Sequence, residues 1–169
     1  MSGKRAGSVA AVRKEIVTDP AYAAYHAAMQ DARARRTVAL SEDERDLRRE
    51  LGSLGFQVAS VYDFVDSVVT PPAVVPTLVA HLDLPHDKRV YEGIVRALSY
   101  AHLRPLALAP LREWFVAQND RLLRWVGANA LASMATLEEL TDVDGIGEFQ
   151  DLFDRPSRTP RDGWSVRQG

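Results

Sequence analysis

Apolar residues along this chain fall three and four positions apart and almost nowhere alternate strictly, so the pattern predicts helices and offers little for strands. The first helix is expected from Asp19-Pro20, a capping carboxylate before a proline at the first helical position. The Ala-rich stretch 21–34 continues it with high intrinsic propensity. Ser41-Glu42-Asp43-Glu44 has the form of a capping box and leads into Leu47, Leu51 and Leu54, with Gly55 as a stop. Residues 20–54 therefore read either as one long helix or as two broken near Ser41. Ser60 and Asp63 cap a further helix bearing Val61, Phe64, Val65 and Val68.

From Pro71 onward the pattern repeats. Val75, Leu78 and Leu82 line one face, Pro85-His86-Asp87 turns the chain, and Val90, Ile94, Ala97, Leu98 and Ala101 follow. A second unit starts at Pro105 with Leu108, Leu111 and Phe115, turns at Asn119-Asp120, and continues with Leu123, Gly127, Ala130, Leu131 and Met134. Leu78 and Leu111, Leu82 and Phe115, Val90 and Leu123, Ala97 and Ala130, and Leu98 and Leu131 are all separated by 33 positions. A helix pair cannot cover its own apolar faces, and stacking against neighbours is the stable solution. The expectation is an all-α, right-handed stack of about three helix pairs behind a charged N-terminal helix. Residues 19–155 form the helical domain, 1–18 a flexible N-terminal arm and 156–169 a flexible C-terminal tail in which Trp164 is the one large apolar residue.

Composition narrows the chemistry. Cysteine is absent, which removes disulfides, thiolate nucleophiles and Cys-ligated zinc. No apolar run approaches the roughly 20 residues of a membrane span. The short GSVAAV before Arg13 is too weak for a secretory signal, so a cytoplasmic location is expected. The net charge of −2 hides segregation: residues 136–154 hold seven carboxylates and no basic side chain, whereas 155–169 hold four arginines against one aspartate. Alternating blocks of this kind suit pairing within the chain or with a protein better than a nucleic-acid footprint.

Residues 123–135, LRWVGANALASMA, resemble the second helix of a HEAT-type repeat: an aliphatic residue, Arg, two variable positions, two small residues, a variable one and Ala-Leu. Val90–Ala101 is a looser copy, and the resemblance covers about Pro71–Ala135. It implies a short α-α superhelix, a HEAT-like solenoid of the small bacterial kind, and a scaffold that binds a partner rather than an enzyme. Neither a cofactor nor a metal is implied. The period of 33 is shorter than the about 40–47 residues of HEAT and armadillo arrays.

TDVDGIGE, residues 141–148, begins like a DNA-binding helix-hairpin-helix, in which backbone N–H groups cradle phosphate. Its surroundings are anionic and would repel a phosphate, so Gly145 and Gly147 are read as ending a helix that Thr136 and Glu139 begin with a capping box. His81, Asp83, His86 and Asp87 in HLDLPHD are not read as a metal site, because the histidines lie five apart across a turn and Asp87 serves as a cap. Trp114, Trp125 and Asp120 are similar to the aromatic-plus-aspartate pockets of HEAT-like base-excision glycosylases, which need a basic groove and more repeats. The residues assigned to partner binding are Arg89, Arg96, Arg112, Arg121 and Arg124 with Trp114 and Trp125. The expected partner is a protein, with a second copy of the chain as another candidate. Nucleic acid and membrane are not expected. The alternatives are a nucleic-acid-binding HEAT-like module and a degenerate DNA-repair glycosylase-like protein.

Overall fold

The computed structural model describes residues 19–67 and 69–153, so the two tails expected to lack order, Trp164 among them, lie outside the described residues. The chain is all-α, and no strand occurs among the described residues. It divides into two units, Met1–Glu42 and Asp43–Gly169. The first contains nearly all of α1 (Pro20–Asp43), a helix with no buried residue. Asp19 begins α1 as expected, its Oδ1 accepting the Ala21 N–H at 2.9 Å.

The second unit carries α2 (Arg45–Ser53), α3 (Tyr62–Asp66), α4 (Val75–Ala80), α5 (Lys88–Leu98), α6 (Arg104–Ala117), α7 (Arg121–Met134), α8 (Leu137–Thr141) and α9 (Gln150–Phe153). Short 3₁₀ turns at Pro72–Val74, Ala101–Leu103 and Ile146–Phe149 link them. Among the described residues no helix is long and apolar enough to cross a membrane.

The break between α1 and α2 falls at Glu44, not Ser41. Ser41 lies inside α1, and the residue that precedes α2 is Glu44. Glu44 is drawn inward instead and is only 4% exposed. Its carboxylate accepts the Ser60 hydroxyl at 3.0 Å and the Val61 N–H at 3.3 Å. Burial raises its pKa, with those hydrogen bonds opposing the shift. Ala101 also departs from expectation: it is exposed in a 3₁₀ turn, because α5 stops at Leu98.

Two successions of helices make the body. α2, α4 and α6 pack one against the next, as do α3, α5 and α7, while α4 packs on α5 and α6 on α7. The ten residues of the 33-position register are all buried, none more than 5% exposed. Asp87 and Asp120, 33 apart, begin the second helix of each pair. Asp87 accepts the Arg89 N–H at 2.9 Å, and Asp120 accepts Leu122 and Leu123 at 3.0 and 3.2 Å. Where α5 meets the start of α3, Gly93 permits a close approach: a Cβ there would stand 2.4 Å from Val61 Cγ1.

Ala97, Leu98, Ala130 and Leu131 fill the seam between α5 and α7. Leu131→Asp would both delete packing and bury a carboxylate, at a cost of roughly 3 kcal/mol or more. Denaturant unfolding should show a large fall in midpoint; a midpoint equal to wild type would show that the register is wrong.

Candidate functional site

Because the second helices share one register, equivalent outward positions can be compared directly. On α5 these are Arg89, Glu92 and Arg96; on α7, 33 residues later, they are Leu122, Trp125 and Asn129. The first set is an ion-pair row, with both arginines 2.7 Å from the two oxygens of Glu92. The Arg89 guanidinium also lies 4.2 Å above the Tyr62 ring. Burial, with Glu92 nearby, pushes the Tyr62 phenol up to about 12. It therefore stays protonated and donates to the Arg89 carbonyl at 3.2 Å. The second set carries no charge and two exposed apolar side chains: Leu122 is 53% and Trp125 42% exposed. The Asn129 amide donates to the Trp125 carbonyl at 2.9 Å. Exposed tryptophan beside ordered arginines is the composition of interface hot spots.

The predicted site residues divide. Arg89, Arg96 and Trp125 belong to this outward face, and Arg121 is exposed beside Leu122 at the start of α7. Lys88, absent from the sequence prediction, pairs with Asp120 and links the starts of α5 and α7. That contact, ahead of the Leu123 N–H, holds the Asp120 carboxyl below the usual carboxylate range. Asp120, considered above as half of a glycosylase-like pocket, is thus a helix cap and an ion-pair partner.

Arg112 lies on α6, away from that face. It borders a groove of about 470 Å³ together with Glu113, Val116, Ala117 and the 142–144 turn. Trp114 is buried at 5% exposure, its ring 5.9 Å from that of Tyr91. Its indole N–H has no hydrogen-bond partner among the described residues.

Arg124 serves the turn that ends the stack. Its guanidinium donates to the Gly145 carbonyl at 3.0 Å, approaches Glu148 at 3.3 Å, and lies 5.3 and 5.9 Å from the Phe115 and Phe149 ring centroids. The Gly-Ile-Gly stretch therefore presents a carbonyl to a cation, the reverse of a phosphate cradle. Neither glycine ends α8, which finishes at Thr141; Gly145 instead starts the next 3₁₀ turn at φ +73°. The capping box of Thr136 and Glu139 is present as read.

His81 and His86 come together across their turn. His81 Nδ1 is 2.9 Å from His86 Nε2, and the ring planes differ by 23°. Glu50 stands at the far nitrogen of His81 at 3.2 Å and Asp43 at that of His86 at 3.0 Å. Among the described residues no group of three or more such side chains is placed to hold a metal ion. Sequence spacing missed this cluster because two of its four members come from residues 43 and 50. Compared with known families, curated proteins and solved structures, the chain has no match.

The two glycines of the turn should respond differently. Gly145→Ala places a Cβ 2.0 Å from Arg124 Nη2 at a left-handed φ, and should cost about 1–3 kcal/mol. Gly147→Ala meets nothing within 4 Å and should stay within about 0.5 kcal/mol of wild type. Equal midpoints for the two variants in denaturant unfolding would contradict the role given to Arg124.

Proposed function

We propose that this chain is a short HEAT-like stack acting as a non-enzymatic scaffold, which recognises a protein partner through the outward faces of α5 and α7. The observation that supports this most is the exposed Leu122–Trp125 pair, set in register beside the Arg89–Glu92–Arg96 row. A partner would bury the indole, while the arginines, already oriented by Glu92, would meet acidic or carbonyl groups at little further entropic cost. The two successions of helices and the buried 33-residue register support the HEAT-like part of the reading. The nucleic-acid alternative has weaker support, since the end of the stack is anionic and its Gly-Ile-Gly turn is occupied by Arg124.

Affinity capture from native extract with mass spectrometry, using wild type and Trp125→Ala as parallel baits, tests this reading. A partner that binds wild type should bind Trp125→Ala at least about 30-fold more weakly, the effect of a hot-spot tryptophan worth 2 kcal/mol or more. The melting curve should be nearly unchanged, because Trp125 is exposed. Fluorescence anisotropy with labelled single- and double-stranded DNA should stay flat at low and physiological salt. Salt-sensitive micromolar DNA binding, or a partner indifferent to Trp125, would overturn the proposal.

A further inference from the structure

The cluster formed by Asp43, Glu50, His81 and His86 follows a rule of proton number. Its four side chains make a chain of three contacts: Glu50 Oε2 to His81 Nε2, His81 Nδ1 to His86 Nε2, and His86 Nδ1 to Asp43 Oδ1. Asp43 Oδ2 is occupied as well, accepting the Asp87 N–H at 2.7 Å. Each contact needs one proton between its two atoms, so the chain needs three. Ionised carboxylates bring none, and two neutral imidazoles bring two. With only two, one contact sets lone pair against lone pair. With four, both imidazoles doubly protonated, His81 and His86 point N–H at N–H across 2.9 Å.

We propose that this cluster is a proton-binding site, in which the two histidines share a single excess proton held between the carboxylates of Glu50 and Asp43. The inference is independent of the α5 and α7 face. The histidine side chains are buried, 1% and 5% exposed, so water cannot substitute freely for a missing proton. The groups facing the pair are Glu50 from α2, Asp43 from the end of α1, and Tyr91 from α5. The Tyr91 ring stands edge-on to His86 at 5.7 Å, and its hydroxyl is turned to the Leu84 carbonyl. Net charge within the cluster is then −1, from two carboxylates and one imidazolium. The bound proton fastens the 81–87 turn to Asp43 and to α2.

The proton count fixes the pH dependence. Unfolded, two ordinary histidines together hold one proton at about pH 6.5, fewer above and more below. Folded, the pair holds one throughout its working window. Above about pH 6.5 the folded state therefore binds more protons than the unfolded state, and stability falls as pH rises. Below it the unfolded state binds more, and stability falls as pH drops. The cluster's contribution peaks near pH 6.5 and declines on both sides.

Asp43→Asn tests this directly. The asparagine carbonyl can still accept the Asp87 N–H while its amide donates to His86 Nδ1, supplying the third proton without charge. The variant pair then needs no excess proton. Wild type and variant share the same unfolded histidines, so the ratio of their unfolding constants isolates the one bound proton. Denaturant unfolding from pH 5.5 to 7.5 should show the wild type losing stability relative to Asp43→Asn by tenfold in that ratio per pH unit. A ratio independent of pH overturns the proposal. Nitrogen-15 spectra of the wild-type imidazoles at pH 6.5 need no variant and decide the case if Asp43→Asn does not fold: three N–H protons over the pair's four ring nitrogens are expected, and two would overturn it.

Discussion

Most helices of the body are too short to stand alone, and the longest, α6 and α7, have 14 residues each. α3 has five residues, α4 six and α2 nine, against the roughly 12–15 below which isolated helices are marginal in water. Their stability has to come from lateral burial, so everything depends on the 33-residue register that brings Leu78, Leu82, Val90, Ala97 and Leu98 against the next copy of themselves. The polar features obey the same register. Asp87 and Asp120 start equivalent helices, and Lys88 joins one start to the other. A capped start fixes the rotation of its helix, and rotation decides which side chains enter the seam.

A stack held only by neighbours must be closed where the neighbours run out. The closure here is a short acidic segment folded back on α6 and α7. Val143, Ile146 and Phe149 cover the apolar end, with the Phe149 ring 6.2 Å from that of Phe115. Two arginines from the stack tie that segment down. Arg104 reaches the Met134 carbonyl and Glu139, and Arg124 reaches Gly145 and Glu148. Two carboxylates of the anionic block, Glu139 and Glu148, therefore find counterions inside the chain. Glu139 is held below the usual carboxylate range first by the Thr136 N–H and then by Arg104, in keeping with a closing role.

Sequence periodicity made the helices and their register legible because burial at a fixed spacing leaves a direct trace in the chain. Where one residue type can serve two purposes, the trace was ambiguous. The Ser41 motif has the form of a cap, yet the helix runs through it because Glu44 finds better partners at Ser60 and Val61, sixteen and seventeen positions away. Arg124 and Trp114 carry the residue types of an interface but are held by contacts inside the body. Of the residues assigned to partner binding, Arg89, Arg96, Arg121 and Trp125 reach the outward side of the second helices. Of the histidine cluster the sequence showed only His81 and His86; Asp43 and Glu50 join them from distant positions and left no local signal.

The register also shows what the histidine pair is not needed for. His81 is 33 positions before Trp114, so the two occupy equivalent places and both are buried. In the later copy the place is filled by a large aromatic ring whose N–H is left unpartnered among the described residues, a defect of about 1–3 kcal/mol that the surrounding packing absorbs. An aromatic filling is thus compatible with the frame. In the earlier copy both nitrogens of the buried ring are engaged, one with Glu50 of α2 and one with His86 of the same turn. Packing alone selects size at this position and does not select two imidazoles, two carboxylates and a proton number. The polar chain is therefore an addition to the repeat, and its distinguishing property is the one a tryptophan cannot supply: a second ring nitrogen, able to accept a hydrogen bond or to bind a proton.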